Sequence, residues 1–119
     1  MGIVILIFTI GTIITEWDEG AAMCDKIFSS KESVDEFVRT LTELSLHHNC
    51  DGWLINIENL IREEQIDNII YFLRRLKREL TFAGNIGKII WYDSVTKEGK
   101  LSWQNELNEF NRLFIWFKY

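Results

Sequence analysis

The sequence predicts an α/β fold and, within that class, part of a (β/α)8 TIM barrel with about three strand–helix units. Apolar, β-branched segments alternate along the chain with segments whose apolar residues recur at helical spacing. This order of strand and helix, repeated, favours parallel strands joined by right-handed crossovers. Polar and aromatic residues gather where the predicted strands end, and in a barrel the C-terminal strand ends build the active site.

A doubly wound sheet would give the same order of elements. However, no glycine-rich phosphate loop follows any predicted strand, which weakens the nucleotide-binding version of that fold. The polar strand ends are Thr15–Trp17, Asn56–Asn59 and Trp91–Asp93. We therefore favour the barrel. Because a closed barrel needs eight strands, residues 1–119 are expected to form one partial barrel domain.

The first predicted strand is Ile3–Ile14, an apolar run interrupted only by Gly11. Its continuous apolar character predicts burial on both faces, as in a parallel sheet. Residues 16–20 are predicted to form a loop leading to a short helix near Ala21–Phe28, and start signals at Ser30–Glu32 predict the next helix. The apolar residues expected on the buried stripe of that helix are Val34, Phe37, Val38, Leu41 and Leu44.

The second predicted strand, Trp53–Glu58, follows the turn residues Asp51–Gly52. A long helix comes next, and Gly84–Gly87 ends it. Lys88–Tyr92 is predicted to be the third strand, and a final helix is expected around Trp103–Leu113. The buried stripe expected on the long helix comprises Ile66, Ile69, Ile70, Leu73, Leu76 and Leu80.

Charge and composition argue against several classes of protein. A formal net charge of −5 argues against nucleic-acid binding, which needs a basic surface. The apolar start is shorter than the roughly 20 residues of a membrane span and lacks signal-peptide features, so no membrane association is expected. Cys24 and Cys50 are expected to be free thiols in a reducing compartment, which predicts the cytosol. His47 and His48 lack a second pair of ligands at metal spacing, so neither a metal nor another cofactor is expected.

Asn56 and Glu58 lie two residues apart on a predicted strand, so their side chains should face the same way near the mouth of a barrel. An amide and a carboxyl group suit a glycosidase in which the 2-acetamido oxygen of the substrate attacks the anomeric carbon. The carboxyl group then serves as acid and base, and the amide orients the acetamide. In the opposing interpretation, Glu58 and Asn59 simply begin the next helix, with Asn59 as its cap. A glycosidase with two carboxylates, Glu58 and Asp93, is a third interpretation, although Asp93 faces away if Tyr92 faces inward.

Three blocks of sequence carry a family resemblance. They are Gly11–Trp17 followed by Glu19, Gly20 and Cys24; Asp51–Asn59; and Trp91–Val95 followed by Gly99, Leu101, Trp103–Asn108 and Asn111. In this order they resemble glycoside hydrolase family 85, the endo-β-N-acetylglucosaminidases. The resemblance covers Gly11–Phe114. It implies cleavage of the GlcNAc-β1,4-GlcNAc core bond of an N-glycan or a free oligosaccharide.

The resemblance also implies roles for single residues. The family's Asn that orients the acetamide falls on Asn56, and its acid/base Glu falls on Glu58. The reaction then proceeds with retention through an oxazoline, and another sugar can replace water as acceptor. The family's active-site Tyr falls on Tyr92 and its substrate-lining Trp on Trp103, and Trp17 is a further candidate for substrate binding.

Two other tryptophans, Trp53 and Trp91, are expected to serve packing. Because only three strand–helix units are predicted, the alternative function is a catalytically inactive fragment or a sugar-binding remnant of the same family.

Overall fold

The computed structural model describes residues 7–92, Val95 and residues 98–100. These residues form three strands separated by helices, which confirms the predicted α/β class. In chain order the elements are β1 (Ile10–Glu16), α1 (Trp17–Ile27), α2 (Lys31–His48), β2 (Gly52–Glu58), α3 (Ile66–Phe82) and β3 (Lys88–Tyr92). A short 3-10 turn, Glu63–Gln65, precedes α3. The helix predicted around Trp103–Leu113 lies outside the described residues.

The three strands form one parallel sheet in the order β1-β2-β3, which confirms the predicted strand direction. In the register of this sheet, Ile14 lies opposite Asn56, and Asn56 lies opposite Tyr92. One pair further along, Glu16 lies opposite Glu58. Side chains at opposite positions of a parallel sheet project from the same face, so these five residues share one face.

Helices cover only the other face of the sheet in the described part of the chain. On this covered face, Trp53, Ile55 and Ile57 of β2 belong to one buried cluster with side chains of all three helices. The helical members of the cluster include Cys24, Val34, Val38, Leu41, Ile69, Phe72, Leu73, Leu76 and Leu80. On the open face, Ile14 is 56% exposed and Ile90 is 40% exposed. The prediction that the first strand is buried on both faces is therefore wrong, because no described helix packs over Ile14.

β1 also begins later than predicted. Its pairing with β2 starts at Ile10, because β2 itself begins at Gly52, the residue opposite. Residues 7–9 precede the strand. There the Asp51 carboxylate accepts a hydrogen bond from the Thr9 N–H at 2.7 Å, which ties the incoming chain to the loop before β2. Apolar composition could not supply this boundary, since it depends on where the neighbouring strand begins.

α1 begins earlier than predicted, so strand and helix join without a loop. β1 continues to Glu16 and α1 starts at Trp17, and the predicted loop at residues 16–20 is therefore wrong. The acidic residues Asp18 and Glu19 lie in the first turn of α1, where negative charge interacts favourably with the helix dipole. Glu16 makes no side-chain capping hydrogen bond, so the usual signal of a helix start is missing from the sequence.

α2 starts where the sequence predicts, but its buried stripe differs. The Ser30 hydroxyl accepts the Ser33 N–H at 3.1 Å, and the Ser33 hydroxyl accepts the Ser30 N–H at 3.2 Å. Leu44 was expected to be buried, but it is 40% exposed, and Ser45 is buried instead. The Ser45 hydroxyl accepts a hydrogen bond from Trp53 Nε1 at 2.6 Å and donates to a carbonyl in the preceding turn. Both hydrogen-bonding groups are thus satisfied, which makes the burial of this serine affordable.

α3 and β3 follow the prediction closely. β3 has the predicted bounds, Lys88–Tyr92. α3 ends at Phe82, and the chain then turns at Gly84, whose φ of +83° is a conformation that favours glycine. Within α3, Phe72 is fully buried, whereas Ile70 of the predicted stripe is only partly buried.

Candidate active site

The side chains of Asn56 and Glu58 meet on the open face, at the C-terminal end of β2. Asn56 Nδ2 donates a hydrogen bond to Glu58 Oε1 at 2.9 Å, which confirms that the two side chains face the same way. The amide nitrogen of Asn56 thus points toward Glu58, and the amide oxygen points away from it. The opposing interpretation, in which Asn59 caps the next helix, is wrong because α3 starts only at Ile66, with Gln65 at its N-cap.

Asn56 Oδ1 is buried and accepts no hydrogen bond from any of the described residues. A buried acceptor that stays unpaired costs about 1–3 kcal/mol, so such atoms in folded proteins call for an explanation. A ligand N–H group would satisfy it, and the site thus offers one acceptor (Asn56 Oδ1) next to one carboxyl group (Glu58).

Tyr92 and Glu16 flank this pair on the neighbouring strands. Tyr92 is half-buried on β3 beside Asn56, and the two strands lie about 4.8 Å apart, as in any sheet. Glu16 is exposed on β1 beside Glu58. The sequence pattern marked Glu16 as a polar residue at a strand end but gave it no role; its position opposite Glu58 depends on the register, which the pattern does not fix.

A cleft of about 240 Å³ opens between the ends of β1 and β2. Trp17 lies at this cleft with 80% of its surface exposed. Its backbone φ is +58°, a left-handed conformation that is strained for a bulky residue. Residues with such backbone strain are found more often at functional sites than elsewhere, so Trp17 is a candidate for one. The residues that line the cleft are Glu16, Trp17, Asp18, Ala21, Glu58, Asn59 and Leu60.

The thiol of Cys24 lies on the covered side of the same strand ends. Both cysteines are free, and Cys24 is buried. Burial is the main cause of the raised pKa of the Cys24 thiol, so this group stays protonated and can donate a hydrogen bond.

Trp53 and Trp91 pack in the fold as predicted. Trp53 is buried and donates to Ser45, and Trp91 is half-buried and packs against the core, so both serve packing. Trp103, the predicted substrate-lining residue, lies outside the described residues. Asp93, the candidate second carboxylate, lies outside them as well.

The described residues contain neither a group of metal-binding side chains nor a membrane-spanning helix. Within residues 7–92, Val95 and 98–100, no three His, Cys, Asp or Glu side chains are grouped to hold a metal ion. The helices of that same part of the chain are all too short or too polar to cross a membrane.

The chain is similar to members of a single family of glycosyl hydrolases. Residues 6–117 match the model of glycosyl hydrolase family 85. The chain is 49% identical over 106 residues to cytosolic endo-beta-N-acetylglucosaminidase 2 of Arabidopsis thaliana. It is 44% identical over 109 residues to the cytosolic endo-beta-N-acetylglucosaminidase of Danio rerio, and 40% identical over 107 residues to that of Homo sapiens.

These alignments cover 89% to 92% of the chain but only 14% to 15% of each of those relatives. The chain therefore spans about one-seventh of the length of the curated relatives it matches. No solved structure matches it.

Proposed function

The chain belongs to glycosyl hydrolase family 85, and from that premise we propose that it supplies part of the catalytic (β/α)8 barrel of a cytosolic endo-β-N-acetylglucosaminidase. Such an enzyme hydrolyses the GlcNAc-β1,4-GlcNAc core bond of an N-glycan or of the corresponding free oligosaccharide. The relatives named above carry that activity and that location in their names. The observation that carries the proposal is the hydrogen-bonded pair of Asn56 and Glu58, in which Asn56 Oδ1 accepts no hydrogen bond from the rest of the described chain.

The barrel is supported by the way the sheet is covered. A doubly wound sheet has helices on both faces, whereas each unit of a barrel places its helix outside and turns the other face of its strand inward. Here the described helices pack on one face only, and apolar residues such as Ile14 and Ile90 remain on the open face. In a complete barrel, inward side chains of the other strands fill that space.

The first chemical step needs one proton donor and one group that aligns the acetamide. Glu58 donates a proton to the glycosidic oxygen while the 2-acetamido oxygen attacks the anomeric carbon. The bond from that carbon to the leaving sugar breaks, and a cyclic oxazolinium ion forms, in which the acetamide nitrogen keeps its proton. Asn56 Oδ1 accepts the acetamide N–H, which aligns the attacking oxygen. Since Glu58 Oε1 already accepts from Asn56, Oε2 is the oxygen that carries the proton.

The second step reverses the role of Glu58. Its carboxylate takes a proton from a water molecule, whose oxygen attacks the anomeric carbon on the side that the leaving sugar vacated. The oxazolinium ring opens at its bond to the anomeric carbon and the acetamide is restored, so the anomeric configuration is retained. A sugar hydroxyl in place of water gives transglycosylation by the same route.

Aromatic side chains hold the sugars. Trp17 offers an exposed ring at the cleft beside Glu58, where it can stack on a sugar face. Tyr92 lies beside Asn56 and bounds the space around the acetamide. Trp103 is proposed as a further wall of the site.

A second candidate function is sugar binding without cleavage. The cleft and the exposed Trp17 favour it, because stacking needs neither the proton of Glu58 nor the free oxygen of Asn56. The two candidates differ in whether any bond is broken.

The test uses a chimera in which residues 6–117 replace the matching segment of the Arabidopsis thaliana relative, so that the barrel is complete. We expect the chimera to release the glycan from a glycopeptide. Glu58→Gln should lower this rate by about 10²–10⁴-fold, because a general acid and base is lost. The control is Glu63→Gln, an exposed carboxylate in the turn before α3, which should leave the rate unchanged.

A folded chimera that binds the glycopeptide without cleaving it would favour the sugar-binding alternative. A Glu58→Gln chimera as fast as its parent would rule out the proposed role of Glu58.

A further inference from the structure

A buried polar cluster lies directly under the cleft, on the covered side of the strand ends. It joins Thr15 of β1, Cys24 of α1 and Asn59, the residue that follows β2. Cys24 Sγ lies 3.5 Å from Thr15 Oγ1 and 4.0 Å from Asn59 Oδ1. Because the thiol donates to Asn59, the Thr15 hydroxyl is the donor to the sulfur. Asn59 Nδ2 donates to the carbonyl of Leu60 at 3.1 Å, so both ends of the buried amide have partners.

The fit around Asn59 is tight. Gly20 of α1 packs against the cluster through its backbone, and a Cβ at this position would lie 2.8 Å from Asn59 Oδ1 and 2.9 Å from the carbonyl carbon of Thr15. Any side chain at residue 20 would therefore displace Asn59 or separate α1 from β1. The amide has little freedom to move.

This cluster connects two residues of the cleft. Asn59 follows Glu58 immediately, and its side chain projects to the covered side while that of Glu58 stays on the open side. α1, which carries Gly20 and Cys24, begins with Trp17. The distance between the Glu58 carboxyl group and the Trp17 ring thus depends on how α1 and Asn59 pack together.

We propose that Asn59 is a positioning residue for Glu58: held by Cys24, which Thr15 contacts in turn, and confined by Gly20, it fixes the acid carboxyl relative to the sugar bound beside Trp17. The proposal rests on the proposed function of the Asn56–Glu58 pair, and it explains how the Glu58 carboxyl group is held in position toward the bound sugar. A proton donor is effective only when it points at the leaving oxygen, and misplacement by about 1 Å can cost about 10²-fold in rate. Asn59 takes no part in the proton transfer and acts through Glu58.

The test compares two leaving groups in the chimera described above. A glycopeptide needs a proton on the departing sugar oxygen, whereas a nitrophenyl glycoside of the same oligosaccharide releases a phenolate that needs none. Asn59→Leu keeps most of the side-chain volume and removes both hydrogen bonds. We expect kcat on the glycopeptide to fall by about 10- to 100-fold, KM to stay within about twofold, and kcat on the nitrophenyl glycoside to fall by less than about threefold.

Three other variants make the result decisive. Glu58→Gln shows the dependence on leaving group that a missing acid produces. Gly20→Ala places a methyl group against the Asn59 side chain and leaves the Asn59 residue itself unchanged. If the Asn59→Leu chimera does not fold, the Gly20→Ala chimera takes its place in the comparison. Ser45→Ala is the matched control: it removes a buried hydrogen bond at the far end of β2 and should leave the ratio of the two rates unchanged.

Equal losses on both substrates, or no loss on either, in a folded Asn59→Leu or Gly20→Ala chimera would overturn the positioning role. Failure of the proposed function would look different. In that case the parent chimera would cleave neither substrate, or Glu58→Gln would leave both rates unchanged.

Discussion

The covered and open faces of the sheet are built from alternate residues of the same strand, yet their polar groups behave differently. On the covered face of β2, Trp53 is buried, and its indole N–H is paired with Ser45. On the open face of the same strand, Asn56 has a buried oxygen that accepts no hydrogen bond from the described residues. Most buried polar atoms in folded proteins are paired. The covered face therefore holds the fold together, whereas the proposed function assigns the open face to a ligand.

The largest expected effect concerns the open face of the chain on its own. When residues 1–119 are expressed alone, we expect aggregation and no glycan release. In the described residues β1 and β3 are the outer strands of the sheet, and edge strands invite aggregation. The apolar side chains of Ile14 and Ile90 are exposed. Size-exclusion chromatography with light scattering, followed by chemical denaturation, measures this. Ile14→Thr combined with Ile90→Thr should improve solubility, whereas Ile55→Thr on the covered face should not.

A soluble monomer of the unmodified chain with one cooperative unfolding transition would contradict this account of the open face. Glycan release that depends on Glu58 in that short chain would contradict it too.

A smaller effect is expected for the covered face in the complete chimera. Phe72→Ala removes a fully buried ring of α3 that contacts Phe28 and Phe37, and it should lower the free energy of unfolding by about 3–5 kcal/mol. Phe82→Ala is the matched control, since Phe82 lies in the same helix but is 88% exposed. It should change stability by less than about 0.5 kcal/mol. Similar losses from the two substitutions, measured by chemical denaturation, would argue against the described position of the core.

The sequence predicted this division between the faces only in part. The two-residue spacing was enough to place Asn56 and Glu58 on one side of β2, because side-chain direction in a strand alternates strictly. The spacing could not show that Asn56 Oδ1 lacks a partner, since that depends on the side chains of neighbouring strands. The same limit explains why Glu16 received no role: its position opposite Glu58 follows from the register of β1 and β2.

The elements were predicted best where local signals are strong. The Ser30 cap and the turn around Gly84 mark the helix ends they were expected to mark. The start of α1 was missed because its N-cap residue Glu16 makes no capping hydrogen bond, and Gly20 suggested a loop although it serves close packing against Asn59. Leu44 is wrongly predicted to be buried because the helical pattern was read from apolar residues alone. The last buried residue of the stripe is instead Ser45, a polar residue whose hydroxyl accepts a hydrogen bond from the Trp53 indole N–H.

The central claim is that Asn56 orients the acetamide while Glu58 moves the proton, and one measurement separates the two roles. The Asn56→Ala chimera is given a glycopeptide in one reaction, and in another a preformed sugar oxazoline with an N-acetylglucosamine acceptor. Because the oxazoline has already formed, the second reaction no longer needs Asn56 to align the acetamide, whereas Glu58 is still present to activate the acceptor. We predict almost no glycan release in the first reaction and clear sugar transfer in the second, with the transferred product surviving. An Asn56→Ala chimera that is folded and equally inactive with the oxazoline would show that Asn56 is structural, and would contradict the claim.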